Sequence, residues 1–190
     1  MDTIVQTIVA LDTTVNTAMY SLFPYISHPL LTKIMKSIAF IFDPYVFGFL
    51  SILFIAYFAY KKQWHTALLW FFSIATTIAA VYFLKIIIHR PRPEAVLTDF
   101  SFPSGHCAVS LVFFCLLYYT FKEKLQKTQR ALAISAITLI TLLIGFNRLY
   151  IHAHWLSDVI GGYSIGILVL ILCVFSTRKL FTISLITPFF

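Results

Sequence analysis

Five long apolar stretches, separated by short polar or charged joints, dominate the pattern of this 190-residue chain. A helix needs about 20 apolar residues to cross the hydrocarbon layer of a bilayer. The stretches approach or exceed that length, and they cover residues 44–60, 64–88, 105–121, 131–147 and 155–176. We therefore predict an all-α fold, a polytopic transmembrane helical bundle with five spans, whose membrane domain comprises residues 44–176.

The first 43 residues follow a different pattern. Apolar side chains recur at helical spacing from Ile4 to Leu22, while polar residues occupy the other side of the helix. This pattern is typical of an N-terminal amphipathic helix in the membrane interface, and a sixth span is the alternative. We favour the interfacial position because Asp12 and Asn16 would be unfavourable facing lipid.

Two prolines divide this N-terminal segment. Pro24 and Pro29 cannot donate a backbone hydrogen bond, so we expect them to interrupt the helix. A second short helix is expected over residues 30–42. Residues 1–43 are thus predicted to form interfacial helices. At the other end, residues 177–190 are predicted to form a cytoplasmic tail.

The composition indicates that lipid surrounds most of the side chains. Hydrophobic residues make up 60% of the chain and charged residues only 11%, against about 25% charged residues in soluble domains. The net charge of +7 does not indicate nucleic-acid binding, because the basic residues lie between apolar stretches. The expected partners are the lipid bilayer and a membrane lipid substrate. The sequence does not indicate an oligomeric state.

Basic residues follow the first, third and fifth apolar stretches, and these joints share one side of the membrane by parity. They are Lys61, Lys62, Lys122, Lys124, Lys127, Arg130, Arg178 and Lys179. Since positive joints favour the cytoplasm, we predict a multi-pass protein of a bacterial inner membrane with a cytoplasmic C-terminus. The loops 89–104 and 148–154 then lie together on the extracytoplasmic face.

The first cluster of chemically active residues lies at the outer end of the second span. Lys85 is unfavourable in so apolar a helix unless it is paired or reaches water. Lys85 and His89 are four residues apart and share a helical face. Pro91 and Pro93 should end the helix and hold Arg92 in a restrained loop. A lysine that only anchors the helix at the interface is the alternative.

The second cluster, Pro103 to His106, opens the third span. Ser104 is a good helix N-cap, and Gly105 lets a ligand approach the backbone closely. A helix N-terminus favours phosphate, and His106 would stand beside it. An ordinary capped helix with an incidental histidine is the alternative.

The third cluster contains Arg148, His154 and Asp158. His154 and Asp158 are four residues apart at the start of the last span, where a carboxylate can fix the tautomer of an imidazole. A structural pair that ties a helix end is the alternative. Together the three clusters supply cations, two histidines, an orienting carboxylate and a helix N-terminus on one membrane face. Phosphoryl transfer needs positive charge around the equatorial oxygens and an in-line nucleophile, and this inventory matches that need.

At these positions the sequence resembles the type 2 phosphatidic acid phosphatase family, which shares its site with the vanadium haloperoxidases. The family pattern is Lys, six residues, Arg-Pro; then Pro-Ser-Gly-His; then Ser-Arg, five residues, His, three residues, Asp. Every spacing is kept between residues 85 and 158. The one departure is Asn147, which replaces the family serine and whose amide can still donate to a phosphate oxygen.

The resemblance implies a role for each group. Phosphate would be bound by Lys85, Arg92, Ser104, Gly105 and Arg148. His154 would attack phosphorus to form a phosphohistidine and would be oriented by Asp158, while His106 would protonate the leaving oxygen and then activate water. The resemblance implies neither a metal nor another cofactor, and the few carboxylates nearby make a poor metal cage.

Four residues that flank the motifs are candidates for contacts with the substrate headgroup: His89, Arg90, Asn147 and His152. The expected function is an integral membrane lipid phosphatase, with undecaprenyl pyrophosphate as the first choice of substrate. Phosphatidylglycerophosphate and lipid A phosphates are alternatives, as is lipid-to-lipid phosphotransfer on the same site. A non-catalytic lipid-binding protein is a further alternative, against which the intact His106, His154 and Asp158 argue.

Two further patterns concern packing. Gly162 and Gly166 are four residues apart and are expected to let two helices approach closely. Trp64, Trp70 and Trp155 lie near the ends of spans, as interfacial aromatic residues do.

Overall fold

The computed structural model describes residues 2–26, 28–94 and 99–186, and within these ranges the regular backbone is helical. Seven α-helices occur there: α1 Asp2–Ile26, α2 Pro29–Ile41, α3 Pro44–Tyr60, α4 Trp64–Ile88, α5 Gly105–Phe121, α6 Lys127–Tyr150 and α7 Leu156–Ile186. A short 3-10 helix, Lys122–Lys124, joins α5 to α6. The all-α prediction is confirmed.

Five segments of the described chain are long and apolar enough to cross a membrane. They are Pro29–Tyr60, Trp64–Ile88, Gly105–Lys124, Lys127–Tyr150 and Leu156–Thr177. The five predicted spans are therefore confirmed. The first of them is longer than predicted, because α2 continues the apolar stretch of α3.

Local sequence explains several helix boundaries. Asp43 caps α3, where its Oδ1 accepts from the backbone N–H of Tyr45 at 2.8 Å, and Pro44 occupies the first turn. At the end of α4, His89 adopts a left-handed conformation with φ of 50°. His89 is thus the C-cap residue of α4, and its ring packs edge-on against Phe100, whose carbonyl oxygen accepts from Lys85.

Two boundaries near the motifs differ from the prediction. Helix α6 extends three residues beyond the predicted end at 147, so Arg148 lies in its last turn rather than in a loop. Helix α7 begins at Leu156, so His154 precedes the helix. In the N-terminal segment, α1 continues two residues past Pro24 to Ile26, because a missing N–H removes only one hydrogen bond near a helix end.

Two polar residues of α1, Asp12 and Asn16, face the protein. Asp12 is only 2% exposed, whereas Ile4 and Leu11 are 68% and 50% exposed. Asp12 and Asn16 both hydrogen-bond residues near the start of α7. The reason given above for keeping α1 out of the hydrocarbon layer is therefore wrong, because these side chains do not face lipid. The interfacial position of α1 stays a prediction.

An aromatic core fills the space between α3, α4 and α5. Trp70 is fully buried, stacks on Phe54 with ring centroids 4.7 Å apart, and donates from Nε1 to Thr120 at 3.0 Å. The interfacial position predicted for Trp70 is therefore wrong, because its polar atom finds a partner inside the bundle. Trp64, in contrast, is 57% exposed.

Helices α5 and α7 approach closely at two glycines. A Cβ atom at Gly162 would lie 2.5 Å from the carbonyl oxygen of Ser104, and one at Gly166 would lie 3.1 Å from that of Ala108. The predicted packing role of both glycines is confirmed. The contact matters because it sets the start of α5 against the first turns of α7, where the motif residues lie.

Candidate active site

The three sequence clusters meet at one end of the bundle, where α4 and α6 end and α5 and α7 begin. Backbone hydrogen bonds tie these ends together. Ser104 N donates to Asp158 O at 3.0 Å, and Ser101 N donates to Arg90 O at 2.8 Å. The connections that carry the motifs therefore form one hydrogen-bonded layer.

His154 lies in this layer with only 3% of its surface exposed. Its Nδ1 is 3.4 Å from Oδ2 of Asp158, and its Nε2 is 3.2 Å from Nη1 of Arg92. Burial lowers the pKa of His154 to about 4, although the Asp158 carboxylate opposes the shift. The ring is therefore neutral at pH 7, with Nδ1 towards a carboxylate and Nε2 towards a cation. Nε2 is thus the ring nitrogen that does not face the carboxylate.

Asp158 is fully buried in the first turn of α7. Its Oδ1 accepts from Arg90 Nη1 at 2.9 Å, and its Oδ2 accepts from the backbone N–H of Trp155 at 2.9 Å. The carboxylate is therefore held from two sides while it faces His154.

His106 occupies the first turn of α5 and faces the same space. Its Nε2 lies 3.0 Å from Nη1 of Arg148 and 3.6 Å from Oδ2 of Asp43. Nineteen per cent of its side chain is exposed. A cation and a carboxylate therefore both reach one ring nitrogen of His106, the residue to which the resemblance assigns proton transfer.

Two of the predicted phosphate-binding cations converge on Asp99. Arg92 donates from Nε and Nη2 to the two oxygens of Asp99 at 2.6 and 2.7 Å. Lys85 donates to the carbonyl oxygen of Phe100 and lies 3.8 Å from Asp99. The hydrogen bonds from Arg92 hold the pKa of the Asp99 carboxyl below its usual range. An ionised carboxylate thus occupies the anion-binding face of Arg92.

Arg148 is held by its neighbour in the sequence. Oδ1 of Asn147 accepts from Nε of Arg148 at 3.1 Å and also from Nη2. Nδ2 of Asn147 donates to the carbonyl oxygen of Met35 in α2 at 2.7 Å. Asn147 is fully buried. Its amide therefore orients Arg148 and joins it to α2, instead of pointing towards a substrate headgroup.

Ser104 and Gly105 lie at the start of α5, as predicted. The Oγ atom of Ser104 is buried, and no described nitrogen or oxygen hydrogen-bonds it. A Cβ atom at Gly105 would meet only ordinary contacts, with Val81 at 3.5 Å and Pro44 at 3.8 Å. Packing therefore does not explain glycine at this position, which lines the cavity beside His106.

The other flanking residues contact the protein itself. His89 packs edge-on against Phe100. Arg90 bonds to Asp158 and to α1, and His152 stacks on Tyr20 with ring centroids 3.8 Å apart. Each of these three side chains therefore already has a partner within the protein. Their positions beside the motifs can be explained by these contacts, without a substrate headgroup.

A cavity of about 530 Å³ opens beside both histidines. Its polar end contains His106, His154, Lys85, Arg92, Asp43 and Asp99, and its wall of apolar residues includes Ile78, Val81, Tyr82 and Val109. A polar end joined to an apolar wall suits an amphiphile whose phosphate enters first. Among the described residues, no three His, Cys, Asp or Glu side chains form a group that could hold a metal ion.

A sequence profile of the PAP2 superfamily matches residues 66–181, more than half of the chain. The chain belongs to this superfamily. The resemblance found in the three motifs is therefore confirmed, and all three lie within the matched region.

Two curated relatives illustrate the similarity. Phosphatidylglycerophosphatase B of Bacillus subtilis (strain 168) is 35% identical over 122 residues, which are 60% of this chain and 59% of the relative. Dolichyldiphosphatase of Saccharomyces cerevisiae is 29% identical over 99 residues, 45% of this chain and 41% of the relative. The alignments thus span less than two thirds of these relatives.

Two solved structures share the fold of this chain. The transmembrane PAP2-type phosphatidylglycerolphosphate phosphatase from Bacillus subtilis has a TM-score of 0.78 and 26% identity, covering 91% of this chain and 87% of that one. LpxE of Aquifex aeolicus has a TM-score of 0.58 and 28% identity, covering 82% and 93%. The multi-pass membrane fold is therefore shared over most of the chain.

Three acidic residues of this PAP2 site were not found from the sequence as site residues. Asp12, Asp43 and Asp99 each lie within 4 Å of a basic or histidine side chain at the site. A useful signal was available, because the whole chain has only 7 acidic residues. An acidic residue in such a chain requires a partner.

Proposed function

We propose that this protein is a membrane lipid phosphatase that acts through a phosphohistidine at His154. The proposal rests on the groups that surround the imidazole ring of His154. Asp158 lies on its Nδ1 side, Arg92 lies on its Nε2 side, and the ring lines a cavity with an apolar wall.

The first step transfers the phosphoryl group to the enzyme. Nε2 of His154 attacks phosphorus, the bond from phosphorus to the lipid oxygen breaks, and His106 gives a proton to that oxygen. Asp158 stabilises the positive charge that develops on the His154 ring. Lys85 and Arg148 balance the charge of the equatorial oxygens, and Arg92 joins them when the phosphate replaces Asp99 on its guanidinium.

The second step hydrolyses the phosphohistidine. His106 takes a proton from water, the water oxygen bonds to phosphorus, and the N–P bond breaks to release inorganic phosphate. His106 suits both steps, because Asp43 can stabilise its protonated form and the cavity gives access to water. The proton transfers of both steps thus use one side chain, that of His106.

The substrate is proposed to be a lipid that carries a phosphate monoester or a diphosphate. Phosphatidylglycerophosphate is the first substrate to test, because the curated relative and the solved structure from Bacillus subtilis are both named for it. Undecaprenyl pyrophosphate, the first choice from the sequence alone, comes second, and dolichyldiphosphatase is a diphosphatase relative.

The test measures phosphate release by the purified full chain from phosphatidylglycerophosphate in detergent micelles, with a chelator present. We expect release by the wild type and by the control His65→Ala, whose residue lies at the start of α4, at the other end of the bundle. His154→Ala should lower release by about a thousandfold or more. Equal release by His154→Ala and the wild type would refute the assigned nucleophile.

We further propose that the site faces the outside of the cell. The basic joints after α3 and α5 lie at the bundle end opposite the site, by the order of the helices. In a cysteine-free background, Glu94→Cys should react with a membrane-impermeant thiol reagent in intact cells and Lys62→Cys should not. The reverse labelling would invert the orientation.

A further inference from the structure

A buried group of charges joins α1 to the proposed active site. Asp12, in the middle of α1, is 2% exposed. Its Oδ2 accepts from Nη2 of Arg90 at 2.5 Å and from Oγ of Ser157 at 2.6 Å, and its Oδ1 accepts from the backbone N–H of Ser157 at 2.8 Å. Every contact joins parts of the chain that are far apart in sequence.

Arg90 divides its guanidinium between two carboxylates. Nη2 binds Asp12, while Nη1 binds Asp158 at 2.9 Å and also donates to Ser157. Both carboxylates are buried, and a buried charge without its partner is strongly unfavourable. Asp12 and Asp158 therefore share one cation, and the charge that Arg90 neutralises on either carboxylate depends on the presence of the other.

The second of these carboxylates faces the proposed nucleophile. Oδ1 of Asp158 binds Arg90, which leaves Oδ2 for Nδ1 of His154 at 3.4 Å. When His154 attacks phosphorus its ring becomes positive, and Asp158 must keep enough negative charge to stabilise it. An arginine whose charge was not shared would neutralise Asp158 more completely.

We propose that Asp12 is a positioning residue for catalysis, which shares Arg90 with Asp158 and so keeps Asp158 oriented and negative towards His154. This inference rests on the proposed function. It assigns a catalytic purpose to a residue of the N-terminal helix, outside the three motifs and outside residues 66–181 that match the family profile.

Docking of α1 does not depend on Asp12 alone. Asn16 lies 3.3 Å from Nδ1 of His152, and Tyr20 stacks on the His152 ring. A variant of Asn16 therefore weakens the attachment of α1 while it leaves the shared arginine intact. This provides a matched control on the same helix.

The experiment compares Asp12→Asn, Asn16→Ala and the wild type, with phosphatidylglycerophosphate in detergent micelles as the probe. Asp12→Asn should lower kcat by about tenfold and leave KM within about twofold, because it changes the chemical step more than binding. Asn16→Ala should keep both constants within about twofold. A residue that only anchors α1 would give similar results for both variants.

A double-mutant cycle tests whether Asp12 acts through Asp158. In the Asp158→Asn background, the further change Asp12→Asn should alter single-turnover rates by less than about twofold, because the carboxylate through which it acts is gone. A full tenfold loss in that background would overturn the proposal, as would an unchanged kcat for Asp12→Asn in the wild-type background.

A second variant serves if Asp12→Asn does not fold. Ser157→Ala removes one hydroxyl that bridges Asp12 and Arg90, and it should lower kcat by about threefold. An unchanged kcat for Ser157→Ala would then overturn the proposal. These failures differ from failure of the proposed function, in which His154→Ala would release phosphate as fast as the wild type.

Discussion

The two histidines of the site stand in contrasting surroundings. His154 is 3% exposed and is backed by Asp158, which is fully buried. His106 has 19% of its side chain exposed and contacts Asp43, whose side chain is 32% exposed. The first ring is held by buried charges, and the second stands at the cavity among groups that water can reach.

This difference fits the two roles proposed for the rings. A nucleophile needs one fixed tautomer and one fixed direction, which a buried carboxylate provides. A group that gives up a proton and later takes one from water needs access to the cavity instead. We therefore expect changes near His154 to affect the chemical step strongly, and changes behind His106 to be tolerated better.

The largest expected effect separates the two rings by the step at which each acts. With p-nitrophenyl phosphate, whose leaving group needs no proton, His106→Ala should release about one equivalent of nitrophenolate per site and then turn over about a thousandfold more slowly than the wild type. His154→Ala should show no burst. Rapid-mixing absorbance measures both. Steady turnover by His106→Ala at the wild-type rate would remove the contrast between the rings.

The second effect concerns stability at acidic pH. The pKa of His154 is lowered to about 4 in the folded protein, against about 6.5 when the chain is unfolded. The unfolded chain therefore binds the proton more readily than the folded protein does. The contribution of the neutral His154 ring to the free energy of unfolding is fully present above pH 6.5, and it is lost as the pH falls towards 4. The loss is on the order of 3 kcal/mol for this one group.

His154→Asn isolates this contribution, because its amide cannot titrate. The melting temperature in detergent should fall less steeply between pH 6.5 and 4 for this variant than for the wild type. His65→Asn, at the other end of the bundle, should keep the wild-type slope. Equal slopes for His154→Asn and the wild type would show that the ring is not buried in its neutral form.

The sequence predicted the membrane helices and the motif residues for a physical reason. Charges are rare in so apolar a chain, so Lys85, Arg92, Arg148 and Asp158 stand out, and the order of the spans places them on one face. The acidic partners were harder to assign. Asp12 pairs with Arg90 across 78 residues of sequence, and no local spacing indicates such a contact.

Asn147 gives the same lesson at smaller scale. Its place in the motif suggested that its amide would reach phosphate. The structure instead points the amide at α2, through the carbonyl oxygen of Met35. The direction of a side chain depends on the helix packed against it, and the short helix α2 has no motif that signals this contact.

The third effect tests the contact that holds the two halves of the site together. Gly162 of α7 lies against the carbonyl oxygen of Ser104, next to His106. Gly162→Ala would separate α5 from α7, because its Cβ would lie 2.5 Å from that oxygen. We expect kcat/KM to fall by about tenfold. Gly48→Ala, where nothing lies within 4 Å of the new atom, should leave it unchanged, and equal effects of both would show that the spacing is not important.

The smallest expected effect concerns Asn147, which holds the Arg148 side chain that contacts His106. Asn147→Ser restores the residue type of the family motif, and its shorter side chain can still accept from Arg148 but cannot also reach α2. Because Arg148 would keep one partner, we expect KM for phosphatidylglycerophosphate to rise by about threefold with little change in kcat. Asn147→Ala, which leaves Arg148 without that acceptor, should raise KM further. A tenfold loss of kcat in Asn147→Ser would be as large as the loss expected for Asp12→Asn. It would mean that the rings of His106 and His154 need equally rigid support. The two histidines would then differ in their exposure alone.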